Sequence, residues 1–194
     1  MADRLALVAT QEERTARTTA ALRRAARVAF GRDGFDSVSV DEIAAAAGVT
    51  RGAFYHHFSS KEAIFEETFE EVEDELARHA MAAAAKGRDP REQLRLGCLA
   101  FIDRSSSSRY RRIALIDGPI VLGVTRYREI DTAHFLDTIE TAVRAIQPAR
   151  SSTETTLLAR VLLAAICECA LSASERPHDR AAAEAVVEDL VRAV

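Results

Sequence analysis

Between Thr50 and Lys61 the chain gathers a guanidinium, a phenol, two imidazoles and an ammonium, on Arg51, Tyr55, His56, His57 and Lys61. All of these groups donate hydrogen bonds, and several carry positive charge. None is a nucleophile beside a base; Glu62 and Glu66 with His56 and His57 do not form a catalytic group on adjacent helix ends. The sequence also has no Gly-rich phosphate loop, no nucleophile elbow and no metal-spaced His/Cys set. The chemistry open to such a set is recognition of phosphate oxygens and base edges, with neither enzymatic activity nor a cofactor expected.

These groups need rigid positioning, and the residues around them supply the signals. Ser39 with Glu42 three positions later is a capping box, which predicts a short helix over 40–47. Gly48 stops it. Thr50 caps a second short helix over 51–57, and Ser59 with Glu62 predicts another capping box for a long helix beginning at Lys61. A short helix, a tight turn containing glycine and a second short helix make a helix-turn-helix, whose second helix offers its N-terminal residues to a major groove. Ile43, Ala44, Ala47, Val49, Phe54 and Phe58 are expected to lock it onto a first helix over about 15–32, and Gly52 to let backbone approach DNA.

Apolar residues recur at three- and four-residue spacings almost throughout, with no sustained alternation, so the chain is predicted to be all-α. The long helix should run from Lys61 to about Ala85, with an apolar stripe and a solvated acidic face of Glu66, Glu67, Glu70, Glu71, Glu73, Asp74 and Glu75. Asp89-Pro90 begins the next helix. Gly118-Pro119 is expected to break the chain after Ile116, before helices over about 124–146 and 154–174 and a last one after Pro177. The expected division is 1–60, an N-terminal arm with a three-helix helix-turn-helix domain, and 61–194, a larger helical domain.

The 194 residues hold 26 Lys and Arg against 30 Asp and Glu, an acidic total for a DNA-binding protein. The balance is uneven: residues 1–61 carry nine basic and seven acidic groups, and the remainder carries the acidic excess. The positive excess therefore lies in the segment that would face phosphate. No run approaches the ~18 uninterrupted apolar residues of a membrane span. Leu5–Ala9 is too short for a secretory signal, so no membrane partner and a cytoplasmic location are expected. Cys98, Cys167 and Cys169 are read as reduced, buried thiols.

The stretch 34–65, GFDSVSVDEIAAAAGVTRGAFYHHFSSKEAIF, closely resembles the TetR family of bacterial repressors. The resemblance rests on its GF, SVDEIAAAAGV, RGAFYHHF and SKE elements, with a weaker echo at RRIALIDGPIVLG. It implies a ligand-responsive regulator that binds double-stranded, palindromic operator DNA as a homodimer and is released by a small-molecule, partly apolar inducer. Thr50 is implied near a phosphate, Arg51, Gly52 and His56 as base readers, and Tyr55, His57 and Lys61 as phosphate contacts. Ser39 and Val40 add a further phosphate contact through helix-start amides. An activator, or a helical ligand-binding protein without DNA affinity, is the alternative.

The resemblance also implies a small-molecule pocket in the C-terminal domain and a long helix that transmits its occupancy. Phe69, Phe101, Tyr127, His134 and Phe135 are the expected pocket residues, with ordinary core packing as the other use of each. Tyr127 and His134, seven apart, are expected to share one ligand. The helix over 154–174 is apolar on more than one side, and with the apolar last helix beside it this fits a four-helix dimer interface with Leu158, Leu162, Ile166, Val187, Leu190 and Val191. The alternative is that they complete a monomeric core.

Overall fold

The computed structural model describes residues 2–194, and the side chains of 11–176 and 178–194. The side chains of the Leu5–Ala9 run lie outside the described residues. The described chain is helical throughout, without strands.

Ten α-helices follow in order: α1 Ala2–Asp33, α2 Val40–Ala46, α3 Arg51–His57, α4 Lys61–Ala84, α5 Pro90–Ser105, α6 Ser108–Tyr110, α7 Gly118–Val121, α8 Gly123–Ile146, α9 Ser152–Glu175 and α10 Arg180–Ala193. A π-helical segment, Arg111–Asp117, joins α6 to α7, and a 3₁₀ turn, Pro177–Asp179, precedes α10.

The chain forms two compact units, Met1–Thr68 and Phe69–Val194, and the division falls inside α4. In the first, Leu22, Ala26 and Phe30 from α1 meet Ile43, Phe54 and Ile64 in a fully buried core. Phe30, Phe35 and Phe65 close it as a ring cluster with centroids 5.2–5.7 Å apart. Edge-to-face packing of this kind adds specific geometry to plain burial.

In the second unit α9 packs against α5, α8 and α10. Ser151 and Glu154 make a capping box at its start, with reciprocal bonds of 3.3 and 3.0 Å. By length and composition α9 could cross a membrane. In this fold it buries Ala159, Leu162, Leu163 and Ile166 on its neighbours, which core helices of that composition also do.

Three local expectations change. The cap of α4 is Ser60, whose Oγ accepts from Ala63 N at 3.1 Å, in place of Ser59. Gly118-Pro119 does not break the chain. Gly118 N reaches back five residues to Ile113 O, and Pro119 falls in the first turn of α7, where its missing N–H costs nothing. The turn comes instead at Gly123, with φ +72°. Finally, Glu73 leaves the solvated acidic face. It lies between Phe69 and Leu76 on the buried stripe of α4 and is only 2% exposed.

Candidate nucleic-acid interface and internal cavities

The frame of the first site is set by two caps and one glycine. Ser39 Oγ accepts from Glu42 N at 3.2 Å, and Glu42 Oε2 accepts from Ser39 N at 2.7 Å, which starts α2. Gly48, at φ +72°, turns the chain while Val49 N returns to Ala44 O at 2.9 Å. Thr50 Oγ1 accepts from Ala53 N at 3.1 Å and starts α3. Phe54 is fully buried and fixes the roll of α3; burying a side chain of this size contributes roughly 1.5–3 kcal/mol.

With Phe54 inward, Arg51, Gly52, Tyr55 and His56 share the exposed face of α3. Tyr55 is 46% exposed, and the Arg51 guanidinium lies 5.7 Å from its ring centroid. Arg51 Nη1 also pairs with Asp41 Oδ2 of α2 at 2.7 Å. An alanine Cβ at Gly52 would meet nothing closer than Thr50 Oγ1 at 3.8 Å, so no internal contact requires glycine there.

His57, Lys61 and Ser39, also expected at phosphate, have partners within the chain. His57 Nδ1 is 2.9 Å from Thr19 Oγ1, whose hydroxyl donates to Thr15 O at 3.0 Å. That bond uses the single hydroxyl proton, so His57 Nδ1–H is the donor, and the ring ties α3 to α1. Lys61 Nζ donates to Phe35 O and Val38 O, each at 2.9 Å, and sits 4.0 Å from the Phe35 ring centroid. Two of its three N–H groups thus hold the loop before α2. The Ser39 amide is taken up by Glu42, whose carboxylate stands where phosphate would approach; Val40 is half-buried beside it.

The expected ligand residues separate into two places. Phe101, His134 and Phe135 line a cavity of about 340 Å³ whose walls come from α4, α5, α8 and α9, including Ala77, Met81, Leu94 and Ile166. Its lining is mostly apolar, with Gln93, Asp137, Thr138 and Thr141 as polar groups. Tyr127 lines a second cavity of about 470 Å³, and Phe69, fully buried, packs on Tyr127 at 5.5 Å and lines neither. Tyr127 and His134, expected to share one ligand, thus line different cavities. His134 Nδ1 donates to Ile130 O at 2.8 Å, and its Nε2 stands 3.2 Å from Asp74 Oδ1.

Two buried carboxyl groups escaped the sequence reading. Burial pushes Asp131 up to about 6, against the pull of His134 and Arg128. Burial, then the neighbouring Asp131, push Glu73 well above the ordinary carboxylate range. Their spacing within helical stripes was the available signal. The same low dielectric pushes the Cys98 thiol up to about 12, as befits an inert buried thiol; the three cysteines are free.

The residues expected at a dimer interface lie mostly within this chain's own core. Leu162, Ile166, Val187 and Val191 are buried inside the chain's own core, and Leu158 and Leu190 are half-buried. One residue along an α-helix is a rotation of about 100°, so the outward apolar face is offset from the predicted one. It is made by Leu157, Val161 and Ala164 on α9 and Val186 on α10. Leu157 and Val161 are 62% and 53% exposed.

Known proteins resemble both units. A family model described as "Bacterial regulatory proteins, tetR family" matches residues 22–68, and one described as "Tetracyclin repressor-like, C-terminal domain" matches residues 91–194. The HTH-type transcriptional regulator AcrR of Shigella flexneri is 36% identical over 87 residues, 44% of this chain; the match spans only 40% of that protein's length. A TetR-family regulator of known structure from Pectobacterium atrosepticum is 25% identical, with a TM-score of 0.74 over 93% of this chain and 92% of its own. FadR of Bacillus subtilis, solved with stearoyl-CoA, shares the fold at a TM-score of 0.71 and 18% identity, over 90% of this chain and 98% of its own. With its helix-turn-helix and its helical C-terminal unit both matched by models of one family, the chain belongs to the TetR family of transcriptional regulators.

Proposed function

We propose that the protein is a ligand-responsive repressor that binds a palindromic operator as a homodimer in the cytoplasm and is released by a small-molecule inducer. The carrying observation is the outward face of α3, where Arg51, Gly52, Tyr55 and His56 stand together over the buried anchor Phe54. Arg51 offers the fork that pairs with guanine O6 and N7. Gly52 opens space for a close approach, and Thr50 keeps its hydroxyl proton for a phosphate. His57 and Lys61 serve by holding α3 and the α1–α2 loop in place.

The outward apolar face of α9 and α10 takes a second copy of the chain, which would set two recognition helices about 34–36 Å apart on successive major grooves. The inducer occupies the 340 Å³ cavity, whose apolar walls with a few polar groups suit a partly apolar molecule. Ala77, Ala80, Met81 and Ala84 of α4 line it, and the same helix begins at Lys61 beside α3. An occupant that favours one placement of α4 over another shifts the equilibrium between DNA-bound and released states.

Selection of random duplexes by the full-length protein tests this reading, followed by titration of the selected duplex at increasing salt. A recovered inverted repeat, bound with at least ~10³-fold preference over random duplex, is the expected result. Failure to enrich any sequence would place the chain among helical ligand-binding proteins without DNA affinity.

A further inference from the structure

Within the second unit, the 340 Å³ cavity has a direction. Phe69 packs on Tyr127 and Asp74 meets His134, so α4 and α8 run parallel along it. The short turn over 85–89 sends α5 back along α4, where a Cβ at Gly97 would lie 3.5 Å from both Ala80 O and Ala84 Cβ. The cavity is therefore a slot along three helix axes. Its wall on α8 runs from His134 to Ala145, about 16 Å at the ordinary helical rise.

The two ends differ in chemistry. One is closed by Ala77, Phe101, Phe135 and Ile166, all buried, with the Phe101 and Phe135 rings edge to face at 5.3 Å. His134 lies at this end with both nitrogens engaged: Nδ1 donates to Ile130 O at 2.8 Å, and Nε2 stands 3.2 Å from Asp74 Oδ1. Cys98 adds a buried thiol, a weak donor, and the backbone groups are taken up within the helices, so this end offers an occupant no strong hydrogen bond. The other end carries Gln93, Thr141 and Ala145, all exposed. Gln93 Nε2 donates to Gly87 O at 3.2 Å, which leaves Oε1 as an acceptor, and Thr141 adds a hydroxyl.

Charge narrows the occupant further. No lysine or arginine lines the slot, and the carboxylate of Asp137 is exposed on its flank. An anionic head would meet that carboxylate with no counter-charge in the wall. A cationic head would gain little, because an exposed ion pair is weak.

We propose that this slot binds an uncharged single-chain amphiphile, a long-chain alcohol by class, tail first. Its chain ends against Phe101 and Phe135, and its hydroxyl sits between Gln93 Oε1 and Thr141. The proposal rests on the reading of this cavity as the inducer site and adds the class and orientation of the occupant. Selectivity comes from the closed end, where a polar group would lose its water with nothing to replace it.

Calorimetric titration of the full-length protein, without DNA, uses n-octanol, its α,ω-diol, octanoate and octylamine. Octanol is expected to bind at least tenfold more tightly than the diol and octanoate, and octylamine no more tightly than octanol. Ala145→Trp, at the exposed end, should block entry and weaken octanol at least tenfold, and Thr141→Val should weaken it severalfold. The ranking of the four compounds is read on the natural protein, so it stands even where a variant misfolds. The proposal is overturned if octanol does not bind, if the diol or octanoate matches it, or if octylamine exceeds it. Unchanged octanol binding by an Ala145→Trp protein of intact helical circular dichroism would overturn it too. Saturating octanol is then added to the complex with the selected operator duplex. Release supports both readings, whereas binding without release overturns the inducer reading and leaves the occupant in place.

Discussion

Arg51 Nη1 lies 2.7 Å from Asp41 Oδ2, so the residue best suited to read a base is held by a carboxylate of the preceding helix. Both side chains are 60% exposed, and an exposed pair of this kind is weak and screened by salt. The pair can open for DNA while restraining the long Arg51 side chain near the position it would use.

Arg51→Ala should lower affinity for the selected operator by about tenfold to a hundredfold, with a smaller loss on random duplex. Asp41→Asn should raise affinity for random duplex and so reduce discrimination. Fluorescence anisotropy on both duplexes at fixed salt checks the pair of outcomes. An Arg51→Ala protein that binds operator normally would sink the assignment.

Gly52→Ala separates fold from function at one position. The added Cβ meets nothing closer than 3.8 Å, and alanine is favoured over glycine in a helix by about 1 kcal/mol. The variant should be slightly more stable than the natural protein in a urea melt and should bind operator at least tenfold more weakly. Gains in both stability and affinity would show that DNA does not approach the backbone there.

Glu73→Gln should stabilise the protein by about 1–3 kcal/mol near neutral pH, raising Tm by several degrees, because the amide has no charge to desolvate. In the natural protein both Glu73 and Asp131 have folded pKa values above their ordinary ones. The native state then holds more protons than the unfolded chain. Stability is greatest below about pH 4 for these two groups, and falls as pH rises through about 6 for Asp131 and through the raised value of Glu73. Tm measured from pH 5 to 8 should decline less steeply in Glu73→Gln; an unchanged slope contradicts the burial of a titrating carboxyl.

Gly118→Ala sets two effects against each other. Helix propensity favours alanine by about 1 kcal/mol, but the new Cβ would lie 2.8 Å from Phe69 Cε2 and 3.1 Å from Ile113 O. Overpacking of a tight core costs typically 1–3 kcal/mol, so the net effect should be destabilising. A variant that melts at or above the natural Tm would show that Phe69 moves aside without cost.

Leu157→Asp with Val161→Asp should convert a dimer to a monomer in light scattering while leaving the helical circular dichroism unchanged, since both side chains face outward. Val187→Asp, which puts a charge into the core, should instead unfold the second unit. A double variant that stays dimeric would move the interface elsewhere.

Helix boundaries in the first unit were legible because each depended on a short-range signal. Ser39 with Glu42, Gly48 and Thr50 act through bonds spanning three to five residues, and α3 runs over the predicted 51–57. Ser59 and Ser60 both fit a cap by spacing, and the bond from Ala63 N to Ser60 Oγ shows which one is used. At Gly118 the breaker residues were legible, but the π turn that absorbs them was not; Gly118 there lies so close to Phe69 that an added Cβ would come within 2.8 Å of its ring.

Thus the sequence by itself determined the all-helical class, the helix-turn-helix and the set of side chains on α3, since propensity, capping and apolar period are local. The tertiary structure decided what those side chains touch. It turned Lys61 toward Phe35 O and Val38 O, paired Arg51 with Asp41, buried Glu73 against Asp131 and rotated the free apolar face of α9 to Leu157 and Val161. An apolar or acidic residue on a helix fits several faces equally well until a distant helix packs against one of them. That choice depends on long-range contacts, which residue spacing along one helix does not encode.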